Sequence, residues 1–132
     1  MVHMRSTIEE IVSDIKLDPA IPILRIYDIA KAKEFYVDFL GFRIDWEHRF
    51  DDNAPLYFQV SRSGVTLHLS EHYGDGTPGS VVYIRGENIA ALAQELNAKG
   101  ARFARPGATD NAPTLTDPFG NVLRFDDANN HR

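Results

Sequence analysis

A chain of 132 residues holds one domain, or two small modules sharing a core. Hydrophobic residues make up 43% and charged residues 25%, so a packed core is expected rather than disorder. With 19 acidic against 14 basic side chains the net charge is -5, and no basic stripe is available to neutralise phosphates, which argues against a nucleic-acid partner. The absence of cysteine excludes thiol chemistry, disulfides and Cys-type zinc sites. No apolar run reaches membrane-spanning length and no leader is read at the start. The expectation is a cytoplasmic protein with no membrane partner.

Residues 1–20 read as an amphipathic helix. Ser6 with Glu9 and Thr7 with Glu10 have capping-box spacing, Ile8, Ile11, Val12 and Ile15 mark one face, and Pro19 stops it. This helix packs either on its own domain or on a second subunit. Ile21–Tyr27 is β-rich and predicts a strand, with Pro22 at its start or on an edge. Asp28 is a suitable N-cap for a helix carrying Ile29, Ala32, Phe35, Tyr36, Phe39 and Leu40 on one face and ending at Gly41. Phe42–Phe50 alternates, setting Phe42, Ile44, Trp46, His48 and Phe50 against Arg43, Asp45, Glu47 and Arg49. After a turn at Asp51–Pro55, Leu56–Ser61 and the stretch from Gly64 to His72 predict two further strands.

The turn-rich run Tyr73–Gly79 reads as a linker, and beyond it the order recurs. Ser80–Arg85 predicts a strand, and Asn88 caps a helix with Ile89, Leu92, Ala93 and Leu96 on one face. Ala101–Arg105, Pro113–Thr116 and Gly120–Asp127 predict three more strands. The last strand repeats the fourth at a fixed offset: Gly64 meets Gly120, Leu67 meets Leu123, His68 meets Arg124 and Leu69 meets Phe125. Each alternates an apolar face with a more polar one. Two copies of β-α-β-β-β, over 21–72 and 80–127, predict an internally duplicated α+β domain spanning 21–127. One face of each sheet is covered by a helix. The other is satisfied by curling into a concave surface, by the other copy or by another chain, and a cleft formed there suits a small ligand.

The segments IPILRIYDIAKAKEFYVDFLGF, VTLHLSEH, PGSVVYIRG and TDPFGNVLRF, in this order, resemble the glyoxalase/bleomycin-resistance superfamily, the vicinal oxygen chelate fold, and within it the bleomycin-resistance branch. The resemblance covers about Ile21 to Asp127. It implies paired βαβββ modules forming a curved mixed-sheet cleft. Because that fold hosts isomerases, lyases, dioxygenases, transferases and binders, it leaves the function to the site.

Catalytic relatives place metal ligands on the first and last strand of each module. By resemblance these positions are Ile21, His68, Ser80 or Val81, and Arg124. Only His68 is a metal donor, whereas a divalent ion needs three or four, and an arginine brings a repelling charge. No metal and no cofactor are therefore expected. His68 has a pKa suited to a general base, yet no Ser/His/Asp or Cys/His constellation accompanies it, so no catalytic residue is nominated.

Bleomycin-type relatives hold a bulky, planar, cationic antibiotic in a groove between modules, by stacking on aromatics and by acidic groups. That resemblance nominates Trp46, His48, Phe50, Tyr57, His68, His72 and Arg124 as lining a groove for a planar antibiotic or metabolite, held by sequestration. Two readings of Trp46 stay open, groove and core. Tyr83 is read as core under the second helix. Arg124 either pairs with Asp126 or meets an anionic ligand. The tryptophan-glycine pair that bleomycin binders carry in the loop before the penultimate strand is absent from RPGATDNAPTLTD. A metal-dependent lyase, isomerase or dioxygenase is the alternative. The branch also implies a homodimer, with or without exchange of the first strand.

Overall fold

The computed structural model describes residues 14–99, 103 and 105–131. Seven strands are seen among them: β1 (Ile23–Arg25), β2 (Arg43–His48), β3 (Tyr57–Arg62), β4 (Val65–Ser70), β5 (Val81–Gly86), β6 (Thr114–Thr116) and β7 (Val122–Asp127). They form two mixed sheets, ordered β1-β4-β3-β2 and β5-β7-β6. In the first, β1 runs parallel to β4 while β3 is antiparallel to both β2 and β4. The second repeats this wiring, with β5 parallel and β6 antiparallel to β7. This is the expected α+β arrangement of repeated modules, without a closed barrel.

Of the expected N-terminal helix, residues 1–13 lie outside the described residues, and 14–20 are irregular and exposed. The strand expected over 101–105 likewise falls mostly outside them. Phe103 is described, and its ring packs edge-on against Phe35 at 5.1 Å. No helix among the described residues is long and apolar enough to cross a membrane.

The first helix begins as α1 (Ile29–Lys33) and continues as a π-helical segment, Glu34–Phe39. Asp28 caps it as expected, its carboxylate accepting from the Lys31 amide at 2.9 Å. The wider turn, with Leu40 N donating to Phe35 O, brings Phe35, Tyr36, Phe39 and Leu40 all into the core. Gly41 then takes φ 73°, ending the helix in the left-handed region.

The second helix, α2 (Ile89–Ala98), buries Ile89, Ala93 and Leu96. Asn88 occupies the N-cap position but does not cap with its side chain, because its own backbone is left-handed (φ 61°). Asp127, at the end of β7, supplies the acceptor instead, 3.2 Å from the Ile89 amide.

One continuous core joins the modules, from Leu24, Phe35 and Phe58 in the first to Ile84, Leu123 and Phe125 in the second. A buried polar bridge ties them further. The Tyr36 phenol donates to Asp117 Oδ2 at 2.6 Å, and Asp117 also accepts from the Phe119 and Asn121 amides and from Asn121 Nδ2. Asn121 Nδ2 in turn reaches Arg25 O on β1 at 2.8 Å. Burial, and secondarily the Asp117 carboxylate, raises the Tyr36 pKa well above 10.0, so this phenol stays protonated and donating. The linker closes against the free edge of β1 at Gly76, where a Cβ would lie 2.7 Å from Ile23 O. Only glycine fits there.

Candidate functional site

Every side chain on the outer face of the first sheet is placed by strand register. On β3, Phe58 and Val60 point into the core, so Tyr57, Gln59 and Ser61 point out. Across the β3–β4 ladder, Gln59 lies beside His68 and Tyr57 beside Ser70, and on β1 Ile23 lies beside His68.

β2 departs from the simple alternation of its sequence. Ile44 pairs with Val60 but Trp46 pairs with Gln59, so Asp45 is an extra, bulged residue. The bulge puts Ile44 on the face opposite Trp46 and swings Asp45 onto the face that carries Trp46 and His48. Asp45 duly receives hydrogen bonds from Gln59 Nε2 (3.0 Å) and Ser61 Oγ (3.0 Å). Glu47 stays on the helix side and pairs with Lys33 at 2.7 Å. Trp46 therefore takes the outer face, with 42% of its surface exposed.

The result is a patch of rings. Trp46 lies nearly parallel to Tyr57, 11° between planes and 6.0 Å between centroids, and its ring meets the edge of His68 at 5.2 Å. Tyr57 meets His68 edge-on at 5.1 Å and His72 at 6.4 Å. His48 contacts Phe50 at 5.0 Å, and Phe50 contacts His72 at 6.0 Å. Six of the seven nominated residues thus share one surface: Trp46, His48, Phe50, Tyr57, His68 and His72. Phe50 stands out furthest, 79% exposed beyond the end of β2. Arg25 borders the patch, its Nη1 donating to His72 O at 2.6 Å and its guanidinium lying over the rings of Tyr27 and Tyr73.

Both ring nitrogens of His68 are occupied, Nδ1 by the Tyr57 hydroxyl at 2.6 Å and Nε2 by Gln59 Oε1 at 2.9 Å. Burial lowers its pKa below 6.5, and burial followed by the Asp75 carboxylate raises that of Tyr57 above 10.0. Asp45 is held below 3.8 by the hydrogen bonds from Gln59 and Ser61. Neutral imidazole, protonated phenol and carboxylate are therefore the resting forms at neutral pH.

Arg124, the seventh nominated residue, lies on β7 in the other sheet and is exposed. It does not pair with Asp126, whose carboxylate is taken by Tyr83 (2.5 Å), Asn130 Nδ2 (2.7 Å) and His131 Nε2 (2.7 Å). These bonds, that of Asn130 first, hold the Asp126 pKa down at about 2. Tyr83 is not core. Register sets it beside Arg124, and it is 51% exposed, because Val82 and Ile84 take the inward positions.

Register also moves two of the four positions equivalent to metal ligands. Ile23, not Ile21, is the neighbour of His68, and Tyr83, not Ser80 or Val81, is the neighbour of Arg124. Neither isoleucine nor a hydrogen-bonded phenol adds a carboxylate or imidazole donor. Among the described residues, no three His, Asp or Glu side chains gather closely enough to hold a metal ion.

A cavity of about 580 Å³ lies elsewhere, between the β3–β4 turn, the end of β5 and the start of α2. Phe42, Val65, Ile84, Leu92 and Phe125 line it, with the Arg62–Glu95 ion pair alongside. It shares no residue with the aromatic patch. The residues that sequence reasoning missed are Gln59, Asp45 and Ser61. Gln59 was recoverable from its two-residue spacing to Tyr57, whereas Asp45 needs the bulge.

The chain matches the model of the family described as "Glyoxalase superfamily protein" over residues 6–132. No curated protein matches it in sequence. Among solved structures it is similar to the bleomycin-binding protein of bleomycin-producing Streptomyces verticillus, crystallised with copper(II)-bleomycin. The identity is 25% and the TM-score 0.60, covering 86% of this chain and 98% of that one. The bleomycin resistance determinant encoded on transposon Tn5 shares the fold at 20% identity and TM-score 0.60, over 85% of this chain and 99% of that one. TnmS3, an antibiotic-binding protein from Streptomyces sp. CB03234, does so at 20% identity and TM-score 0.57, over 86% and 98%. With the family model spanning nearly the whole chain and the duplicated mixed sheets in place, this protein belongs to the glyoxalase superfamily.

Proposed function

We propose that the protein binds a small planar molecule, an antibiotic or a metabolite, on the aromatic face of its first sheet, and acts by sequestering it without a metal. The observation that carries this reading is the half-exposed Trp46, nearly parallel to Tyr57 and edged by His68, which offers a flat ligand a broad π surface. Similarity to antibiotic-binding proteins supports the same ligand class. His68 argues against metal use, since a ligated ion would have to displace Tyr57 or Gln59 from its ring. The reading extends to a homodimer, because Ile23, Val81 and Tyr83 leave apolar surface exposed on both outer faces. Sizing chromatography checks that part.

Trp46 is the only tryptophan in the chain, so its fluorescence reports on the site directly. Titration with bleomycin and with other planar antibiotics is expected to quench it with Kd at or below ~100 µM. No quenching by any of them at that concentration overturns the reading. Stoichiometric zinc, nickel, manganese or iron in the purified protein overturns the metal-free part.

A further inference from the structure

The polar groups beside the aromatic rings form a chain in which one carboxylate fixes the direction of the bonds that follow. A carboxylate only accepts. Asp45 Oδ1 takes Ser61 Oγ at 3.0 Å and Arg43 Nε at 3.1 Å, and Oδ2 takes the Gln59 amide nitrogen at 3.0 Å. Gln59 must therefore turn its NH2 toward Asp45 and its carbonyl oxygen toward His68. That carbonyl, 2.9 Å from His68 Nε2, requires a hydrogen on Nε2. A neutral imidazole has only one N–H, so Nδ1 carries a lone pair and the phenol 2.6 Å away must donate to it. The single hydroxyl hydrogen of Tyr57 is thus consumed within the protein.

We infer that Asp45, acting through Gln59 and His68, leaves the Tyr57 oxygen a pure hydrogen-bond acceptor toward the aromatic face, so that the face selects planar ligands with an N–H donor or cationic edge. This inference rests on the reading of that face as the ligand site. The surrounding charges point the same way. From the loop after β4, Asp75 acts electrostatically on Tyr57 while accepting from Ser70 Oγ at 2.8 Å. From β2, Asp45 lies within the network and Arg43 is bound to it. From β1, the Arg25 guanidinium is turned to His72 O and to the Tyr27 and Tyr73 rings. The imidazoles of His48 and His72 lie within the patch, Tyr73 lies under the Arg25 guanidinium, and Glu71 is bound to the Leu56 amide. Asp45 and Gln59 are positioning residues here, since neither needs to touch the ligand. Acid reverses the selection. Protonated His68 carries a hydrogen on Nδ1 as well, donates to Tyr57, and frees the phenolic hydrogen to face the ligand.

Two measurements on the full chain test this. Nitrogen-15 NMR of His68 at pH 7.5 is expected to show the Nε2–H tautomer. Asp45→Asn, which lets Gln59 turn over, is expected to shift it toward a mixture. An Nδ1–H tautomer in the unmodified protein, or one unmoved by the substitution, overturns the inference. Calorimetric titration then compares 9-aminoacridine, a flat cation with N–H donors, with acridine, a flat acceptor of the same ring area. The first is expected to bind at least ~10-fold more tightly, and Tyr57→Phe, which alters no charge, to remove most of that preference. A preference that survives Tyr57→Phe overturns the proposed selection while leaving the binding site standing. Failure of both probes to bind sinks the binding site itself, and the selection with it.

Discussion

The two outer faces are built on the same wiring and carry different side chains. In each sheet the first strand lies parallel to the last, which sets Ile23 beside His68 in one and Tyr83 beside Arg124 in the other. On the first face, His68 is locked between Tyr57 and Gln59 under a patch of rings. On the second, Arg124 stands exposed, and the buried acid is Asp126, which anchors the C-terminal turn Ala128–His131 through Asn130 and His131. A duplicated backbone therefore fixes where side chains point, and little about what they do. The chemistry resides in the outward residues of each strand, the positions that the core does not constrain.

The largest expected effect comes from breaking what joins the two modules. Asp117→Ala leaves the Tyr36 phenol and the Phe119 and Asn121 amides without their acceptor in a buried or half-buried setting, and Asn121 Nδ2 with Arg25 O alone. Each unsatisfied buried donor costs roughly 1–3 kcal/mol, so a loss of about 3–5 kcal/mol is expected after partial relaxation. Urea denaturation measures it. Tyr36→Phe removes one bond and keeps the others, and should cost about 1 kcal/mol. Because the π-helical segment, through Tyr36, and β1, through Arg25 O, both hang on this bridge, the two sheets should unfold in one transition. Separate transitions would show that the modules are independent.

Ligand binding sharpens the contrast between the faces. Trp46→Ala removes the near-parallel partner of Tyr57 and should weaken a planar ligand by ~10-fold or more, read by calorimetry because the fluorophore is lost. Arg124→Ala should change the same Kd by less than about twofold. A loss as large as that of Trp46→Ala would mean that the second face belongs to the same site, as it would if a partner's second sheet closed over the first.

Acid should act on the faces at different points. The folded pKa of His68 lies below 6.5, so its contribution to stability is present above about pH 6.5 and is lost as pH falls through the folded value. Asp126, held at about 2 against 3.8, contributes above about pH 4 and loses that contribution as pH falls toward 2. NMR of the Tyr57 and Tyr83 rings is expected to show two separate acid events, the first face responding before the second. Asp126→Asn should abolish the later event alone. His68→Gln should do the same to the earlier one.

How much of the fold is legible in the sequence follows from the same division between inward and outward positions. Residues under core constraint repeat with clean periods. Leu67 and Leu69 against Leu123 and Phe125, and the run Ala32, Phe35, Tyr36, Phe39, Leu40, announced both sheets and the first helix. The aromatic patch was legible for a related reason, since large rings at alternate positions stand out even where they face solvent. Its wiring was not. The bulge at Asp45 leaves no mark in a two-residue alternation, so a carboxylate assigned to one face belongs to the other. Tyr83 was misplaced because an aromatic flanked by Val82 and Ile84 looks like core until the parity of the strand is known. The capping of α2 was hidden for a different reason: its acceptor, Asp127, is 38 residues away from Ile89 in sequence.

The smallest expected effect lies in the turn that carries β3 into β4. Ser63 holds φ 54° in a two-residue loop closed by the Arg62–Val65 pair. A residue with a Cβ pays about 1 kcal/mol there, since the side chain crowds the following carbonyl. Ser63→Gly removes that crowding but adds freedom to the unfolded chain, which takes back part of the gain. The net expectation is a stabilisation of a few tenths, up to about 0.5 kcal/mol, measurable as a shift in the urea midpoint. Asn88 shares the left-handed conformation at φ 61°, yet asparagine tolerates it better, so Asn88→Gly should gain less than Ser63→Gly. An equal gain at both would mean that the cost lies in the backbone strain of these turns and not in the side chains they carry.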